Sequence, residues 1–321
     1  MKAIQVHEFG GPEVLQIHEV DVPQPGEGEV LVKIGAAGVN PYDTYMRTGS
    51  YGARNPGLPY TPGSDAAGTI EALGAGADHL EVGARVYTSG TVTGAYAQFA
   101  LCKIEQVHWL PEQVTFAQGA GIYVPYATAY RSLIQVARAK PGETVLVHGA
   151  SGGVGVAAIQ CARALGLNVI GTAGTDKGLQ LIIDQGAENA FNHNSPDYQQ
   201  QILGATQGHG VDIILEMLAN VNLSHDLKML VHRGRVVVIG SRGEVQITPR
   251  DLMINETSIM GVLIWRTPAN EAAEIYAAID AGLKNGTLRP IVGLTLPLAE
   301  AEESHRRVME SGASGKIVLI P

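Results

Sequence analysis

The run Val145-Leu-Val-His-Gly-Ala-Ser-Gly-Gly-Val-Gly155, continuing through Val156-Ala-Ala-Ile-Gln-Cys-Ala-Arg-Ala-Leu-Gly166, constrains this chain more than any other stretch. It reads as strand, glycine turn and helix. Thr144 to Val147 is a short apolar run rich in β-branched residues, as expected of a buried parallel strand. Small residues at Ala150, Gly153 and Gly155 permit a tight turn, and Ala157, Ala158 and Ala162 let the following helix pack close to a sheet. The turn is a variant of the fingerprint that brings backbone N–H groups up to a pyrophosphate at a helix start, where a side chain at Gly153 would intrude. A tight strand-to-helix turn that binds nothing has the same local pattern, so the context has to decide.

The context is a repeated alternation. Asn168-Val-Ile-Gly-Thr172 follows the helix as a second apolar strand, and Val211-Asp-Ile-Ile-Leu-Glu216 and Gly234-Arg-Val-Val-Val-Ile-Gly240 come later, each after a helical or loop segment. Strands alternating with helices give an α/β fold with a doubly wound parallel sheet. The first hundred or so residues differ. Ala3 to Val6, Val14 to Ile17, Glu29 to Ile34, Ala67 to Gly74 and Ala84 to Tyr87 read as short strands between Pro- and Gly-rich turns, which predicts a barrel-like β domain. Gly38 to Tyr51 is polar and aromatic and reads as a short helix and loop. Ala127 to Ala137 leads to the central strand as a helix, and Ala269 to Asn285 forms another, stopped at Gly286. The tail from Leu288 to Ile320 reads as strand, helix, strand and is expected to return to the first domain. The predicted domains are therefore 1–122 with 266–321, and 123–265.

At 321 residues two domains are the natural expectation, and 45% hydrophobic content supplies a full core. The formal net charge of −9 gives no global basic field, so nucleic acid is not indicated as a partner. Two cysteines, Cys102 and Cys161, cannot build a disulfide framework or a zinc knuckle, and Cys161 reads as a small core residue. The first residues lack the apolar run of a signal peptide and no stretch approaches membrane-spanning length, so no membrane partner and a cytoplasmic location are expected.

The chain resembles the zeta-crystallin-like quinone oxidoreductases, a zinc-independent branch of the medium-chain dehydrogenase/reductase superfamily. The matching stretches are Glu8-Phe-Gly-Gly-Pro-Glu-Val-Leu15, Gly38-Val-Asn-Pro41, Leu58-Pro-Tyr-Thr-Pro-Gly-Ser-Asp65, Val145 to Gly155, Gly171-Thr-Ala-Gly-Thr175, Glu216-Met-Leu-Ala-Asn-Val-Asn-Leu223 and Gly240-Ser-Arg-Gly243. They run in order through nearly the whole chain. The resemblance implies a Rossmann doubly wound domain joined to a GroES-like β-barrel domain, with NADPH in the cleft. It implies cofactor contacts at Tyr45, Ser151, Gly152, Gly153, Val154, Gly174, His193, Asn222, Ile239, Gly240, Ser241, Arg242, Val262, Leu263 and Ile264. Lys177 is added on physical grounds, as a cation near the end of the second strand, where Gly174 leaves room for a ribose phosphate. No acidic residue ends that strand, which favours NADPH over NADH, although Asp176 has to point away.

The zinc-dependent branch of the superfamily places a Cys after Gly-Val, a His in Gly-His-Glu-x-x-Gly, and a further Cys or acidic ligand before the Rossmann domain. Here those places hold Asn40, Ser64 and the run Ala120 to Tyr130, which contains no Cys, Asp, Glu or His. Zinc needs soft or imidazole ligands, so no metal is expected. Asp43 and Asp65 offer carboxylates, but scattered carboxylates usually act as caps or ion-pair partners.

Three residues are the leading candidates for the chemistry. Asn40 stands at the lost Cys position, so its amide is placed to hydrogen-bond a substrate carbonyl oxygen, or simply to stabilise the loop before Pro41. Tyr45 is placed to touch nicotinamide or substrate, or to be a core aromatic; Tyr51 is a weaker candidate. Thr128 is placed to bond the nicotinamide carboxamide or its own helix backbone. The remaining histidines, His148 beside the glycine turn among them, carry no signal. The expected activity is metal-free transfer of reducing equivalents from NADPH to a quinone. An enone or alkenal double-bond reductase, with Tyr45 as proton donor, and a low-turnover NADPH-binding crystallin-like protein are the alternatives. Relatives join Rossmann sheets through the last strand, here Ser258 to Ile264, so a homodimer or a homotetramer of dimers is expected.

Overall fold

The structure is a computed structural model and describes residues 1–52, 55–312 and 314–321. The chain divides into two compact units. One comprises Met1–Val124, Pro290–Ser311 and Gly315–Pro321; the other comprises Pro125–Arg289 and Gly312–Ser314.

The first unit is built on the strand Glu29–Val39, which is long enough to be shared. Along one edge it pairs antiparallel with Asp65–Leu73; along the other, residues Glu29 to Lys33 pair with Phe99–Lys103 and residues Ala37 to Val39 with Lys316–Ile320. The sheet continues through Arg85–Ser89 and Val107–Trp109 on one side and Val292–Pro297 on the other. Register shifts between Leu31 and Val32 and between Ile34 and Ala36 bend the shared strand, as bulges do. Its buried side chains Val30, Val32 and Ile34 enter a core with Ile4, Val6, Ile70, Val86 and Tyr96. The chain from Pro290 returns to this unit through the strands Val292–Pro297 and Lys316–Ile320, with the helix Ala301–Arg307 between them.

The second unit carries a six-stranded parallel sheet. Numbered by appearance in this unit, its strands are Thr144–Val147, Asn168–Ala173, Asn189–Asn192, Val211–Glu216, Leu230–Val238 and Ser258–Gly261, in spatial order 3-2-1-4-5-6. This is the dinucleotide-binding order, whose switch point lies beside the first strand. Leu146, Ile170, Ile214 and Val236 from four of the strands meet in one core, which explains why the strands read as continuous apolar runs. The helix Gly153–Ala164 is buried along Gly155 to Ala162. An alanine at Gly155 would bring its Cβ within 2.5 Å of Ala150 Cα, so glycine is required for that close approach.

Several boundaries differ from the sequence reading. The helix Ala269–Asn285 was expected with the barrel but lies in the second unit. Glu271 pairs there with Arg131, its carbonyl accepts from Gln135 Nε2 at 2.9 Å, and Ile275, Ile279 and Leu283 are buried. Gln160 then clamps both backbone groups of Arg289, accepting from its N–H at 2.8 Å and donating to its carbonyl at 2.9 Å. The second strand of the chain begins at Gln16 because Pro12–Val14 forms a 3₁₀ turn. The last strand of the parallel sheet stops at Gly261, and Ile264–Arg266 is a 3₁₀ turn, so Val262 and Leu263 lie outside the strand.

Candidate functional site

In the second unit the glycine turn is stitched to the strands on either side. His148 N–H donates to the Leu215 carbonyl at 3.1 Å and Ala150 N–H to the Thr172 carbonyl at 2.8 Å. Gly152 caps the following helix with no side-chain bond of its own, and Val156 N–H makes the first helical bond back to Gly152. The helix starts at Gly153, and the first amides of an α-helix have no partner within it, which makes such an end a cradle for an anion. Ser151 is buried, whereas Gly152, Gly153 and Val154 are half-buried. These features fit a bound dinucleotide pyrophosphate.

Three further predicted segments gather at the same end of the sheet. Glu216 organises two of them. Its side chain accepts from Leu218 N–H and, at 3.2 Å, from Asn222 Nδ2; its backbone carbonyl accepts from Ile239 N–H at 2.8 Å and Gly240 N–H at 3.2 Å. A Cβ at Gly240 would lie 2.4 Å from the Met217 carbonyl, so that residue is held tightly against the neighbouring segment. Arg242 N–H donates to Asn220 Oδ1 at 2.8 Å, and Ser241 Oγ to the Gly243 carbonyl at 2.9 Å; both residues are exposed. Val262 N–H donates to the Val238 carbonyl at 3.1 Å, which carries Val262, Leu263 and Ile264 beside that end.

Beyond the second strand, Gly174 faces His193, whose Nε2 would stand 2.8 Å from a Cβ added there. The two predicted contacts are thus neighbours. Thr175 caps the helix Asp176–Asp184 by accepting from Gly178 N–H at 3.1 Å, and Lys177 lies exposed in its first turn beside Asp176. Thr128 is buried on the helix Tyr123–Tyr130.

In the first unit the site is a buried polar cluster. Asn40 ends the shared strand and begins the helix Pro41–Arg47, with Pro41 at the first helical position. Its N–H donates to Asp43 Oδ2 at 2.8 Å, in the manner of a capping box. Its side chain has two partners already: Oδ1 accepts from Lys316 Nζ at 2.5 Å and Nδ2 donates to Asp65 Oδ2 at 3.1 Å. Among the described residues, the second N–H of the amide has no acceptor. Lys316 Nζ also donates to Asp65 Oδ2 at 2.7 Å, and Val124 N–H to Asp65 Oδ1 at 3.0 Å. Gly38 makes the cluster possible, because a Cβ there would fall 2.7 Å from Lys316 Cε and 2.9 Å from Asp65 Cβ. Asp43 and Asp65 thus serve as cap and ion-pair partner.

Asp43 Oδ2 also accepts from Tyr96 Oη at 3.1 Å, and Tyr96 Oη lies 3.2 Å from His305 Nε2. Burial pushes the Asp43 carboxyl up to about 7, against the opposing pull of the Asn40 N–H and the Lys316 ammonium. Burial likewise pushes the His305 imidazole down to about 3, so it is neutral. A cavity of about 420 Å³ opens beside these groups, lined by Tyr42, Asp43, Met46, Tyr60, Ser64 and Thr91 among others. Tyr42 and Ser64 hydroxyls are hydrogen-bonded to each other at its wall. Tyr45 is half-buried on the same helix, and Tyr51 is half-buried past its end.

Sequence reading missed Lys316 and Tyr42 here and His148 in the second unit. Lys316 lies 276 residues from Asn40, and only the return of the tail to the shared strand joins them. Tyr42 sits in the polar aromatic segment already singled out, so a signal existed for the segment and not for the residue.

A model of the alcohol dehydrogenase GroES-like domain matches residues 26–136, and one of the zinc-binding dehydrogenases matches residues 153–281. A human quinone oxidoreductase is 50% identical over 100% of this chain and 98% of its own length. Among solved structures, an NAD-dependent alcohol dehydrogenase superposes with a TM-score of 0.93 at 28% identity, covering 100% of both chains. The Escherichia coli quinone oxidoreductase complexed with NADPH superposes with a TM-score of 0.89 at 30% identity, again over 100% of both. The chain belongs to the zeta-crystallin-like quinone oxidoreductase family of the medium-chain dehydrogenase/reductase superfamily.

Proposed function

We propose that this protein is an NADPH-dependent quinone oxidoreductase. The observation that carries the reading is identity of 50% along the whole chain to a quinone oxidoreductase, together with a helix N-terminus built to take a pyrophosphate. NADPH, when bound, supplies the hydride. The chain supplies position, charge and hydrogen bonds.

The amides of Gly153 and Val154, with Ser151 and Gly152 before them, hold the pyrophosphate. Asn222, Ile239, Gly240, Ser241, Arg242, Val262, Leu263 and Ile264 carry the rest of the cofactor-binding surface. Gly174 leaves room beside His193 for the adenosine ribose, and Lys177 supplies a cation for its phosphate. Thr128 orients the carboxamide. On the acceptor, the remaining Asn40 N–H and the Tyr45 hydroxyl stabilise the negative charge that develops on a quinone oxygen. A quinone accepts hydride readily because its product is aromatic, so hydrogen bonds serve where a ketone would want a Lewis acid. Lys316 and Asp65 hold the Asn40 amide in one orientation, and the site works without a metal. A homodimer, joined through the open edge of the strand Ser258–Gly261, and a cytoplasmic location complete the reading; among the described residues no helix is long and apolar enough to cross a membrane.

The test is quinone-dependent oxidation of NADPH by the purified protein, with and without exhaustive chelation. Equal rates in the two conditions support the reading. Loss of turnover on removal of stoichiometric zinc contradicts the metal-free assignment.

A further inference from the structure

Beneath the glycine turn lies a cluster that the proposed chemistry does not use. His148 Nε2 is 2.9 Å from Asp226 Oδ1 and 3.6 Å from Glu216 Oε2, and all three residues are buried, the two acids completely. Ligand atoms of the three lie within 4.8 Å of one another. Two acids and one imidazole leave a net negative charge in the core even with the imidazole protonated, and such a charge is costly. Glu216 Oε2 and Asp226 Oδ2 lack any donor when both acids are ionised. A single proton held between the carboxyl groups removes the charge and satisfies both oxygens.

The cluster reaches three separate segments. His148 precedes the glycine turn, and its Nδ1 lies 3.3 Å from Thr172 Oγ1, whose residue also accepts from Ala150 N–H. Glu216 holds Leu218 and Asn222 through its side chain and Ile239 and Gly240 through its carbonyl. Asp226 anchors the far end of the helix Ala219–Asp226. We infer that His148, Glu216 and Asp226 form a buried proton-sharing hub that positions the three segments carrying the cofactor, a role that rests on the NADPH reading above.

Burial, with the Asp226 carboxylate beside it and against the pull of His148, raises the Glu216 carboxyl to about 7. The His148 imidazole is also raised: burial opposes its charge, but the hydrogen bond and charge of Asp226 and the charge of Glu216 prevail. The other titratable groups facing the hub are His193, beyond the strand Asn189–Asn192, and the Tyr198 phenol on the helix Tyr198–Ala205. Both raised groups keep protons that the unfolded chain has released, so their stabilising protonation is lost as pH rises through neutrality.

The experiment compares wild type with Glu216→Gln, which carries its hydrogens at every pH, and with Asp226→Asn as a second variant. Unfolding without cofactor is followed from mildly acidic to mildly alkaline pH, and NADPH affinity is measured at each pH. In the wild type stability should fall as pH rises from mildly acidic to neutral, and affinity should fall as pH rises through neutrality. In Glu216→Gln the stability slope should flatten, and affinity should fall about tenfold less than in wild type. Equal slopes in wild type and both variants would overturn the hub, as would a stoichiometric divalent cation retained by the purified protein. If wild type binds no NADPH, the functional reading fails while the unfolding slopes still decide whether a proton is shared.

Discussion

Lys316 Nζ lies 2.7 Å from Asp65 Oδ2, with the two side chains 4% and 0% exposed. A cation from the last strand is thereby held by Asp65 and by Asn40, the residue that stands where zinc-dependent relatives carry a Cys ligand. Removing one member leaves a buried charge unpaired. Lys316→Met is expected to cost about 3–5 kcal/mol in urea unfolding. The double variant Lys316→Met with Asp65→Asn should recover part of that, since it removes the uncompensated charge while the amide oxygen can still accept from Val124 N–H. A loss below about 1 kcal/mol for Lys316→Met, the value of a surface pair, would contradict the burial of the cluster.

Asp43 gives the first unit a pH signature. Its carboxyl is raised to about 7, so between the usual carboxylate range and neutrality the folded protein holds a proton that the unfolded chain has lost. Stability from this group is therefore full in acid, falls as pH rises to about 7 and is level above. Asp43→Asn stays uncharged throughout. The difference in melting temperature between wild type and variant should shift in favour of the variant as pH rises from mildly acidic to neutral. A difference independent of pH would show that Asp43 titrates normally.

Cofactor choice is expected to depend on Lys177. Lys177→Ala should raise KM for NADPH about fivefold, the scale of one exposed ion pair, and leave KM for NADH unchanged. Equal effects on the two cofactors would place the ribose phosphate elsewhere.

The dimer prediction has a single-residue test. Val262 N–H points inward to Val238, so by alternation Gly261 turns its own N–H to the open edge of the sheet. Gly261→Pro removes that outward donor and leaves the inner ladder intact. Sedimentation should give a dimer for wild type and a monomer for the variant. Dimers in both would move the interface away from this edge.

What the sequence disclosed follows from how locally each feature is encoded. The parallel strand Val211–Glu216, the glycine turn and the helix Ala269–Asn285 were legible because apolar runs and stop signals sit within a few residues of one another. The short strands Phe99–Lys103 and Val107–Trp109 were not, since their pairing comes from Glu29–Val39 and Arg85–Ser89 and not from their own pattern. Lys316 and the trio His148, Glu216 and Asp226 were invisible for the same reason. Each is an ordinary residue in sequence and becomes chemically distinctive only when distant strands bring it into the core beside a charge. Asn40 was found from its motif, but its engagement with Lys316 was not.

The most direct test of the whole account is the ratio of kcat/KM for a simple benzoquinone to that for an alkenal, with NADPH as donor and with a no-acceptor control. The quinone is expected to be strongly preferred. Asn40→Ala and Tyr45→Phe should each lower quinone turnover, by less than the roughly 10²–10³-fold seen when a donor to an oxyanion is lost in difficult acyl transfers. Alkenals reduced far faster than quinones, with turnover lost in Tyr45→Phe, would contradict the account and make the protein a double-bond reductase.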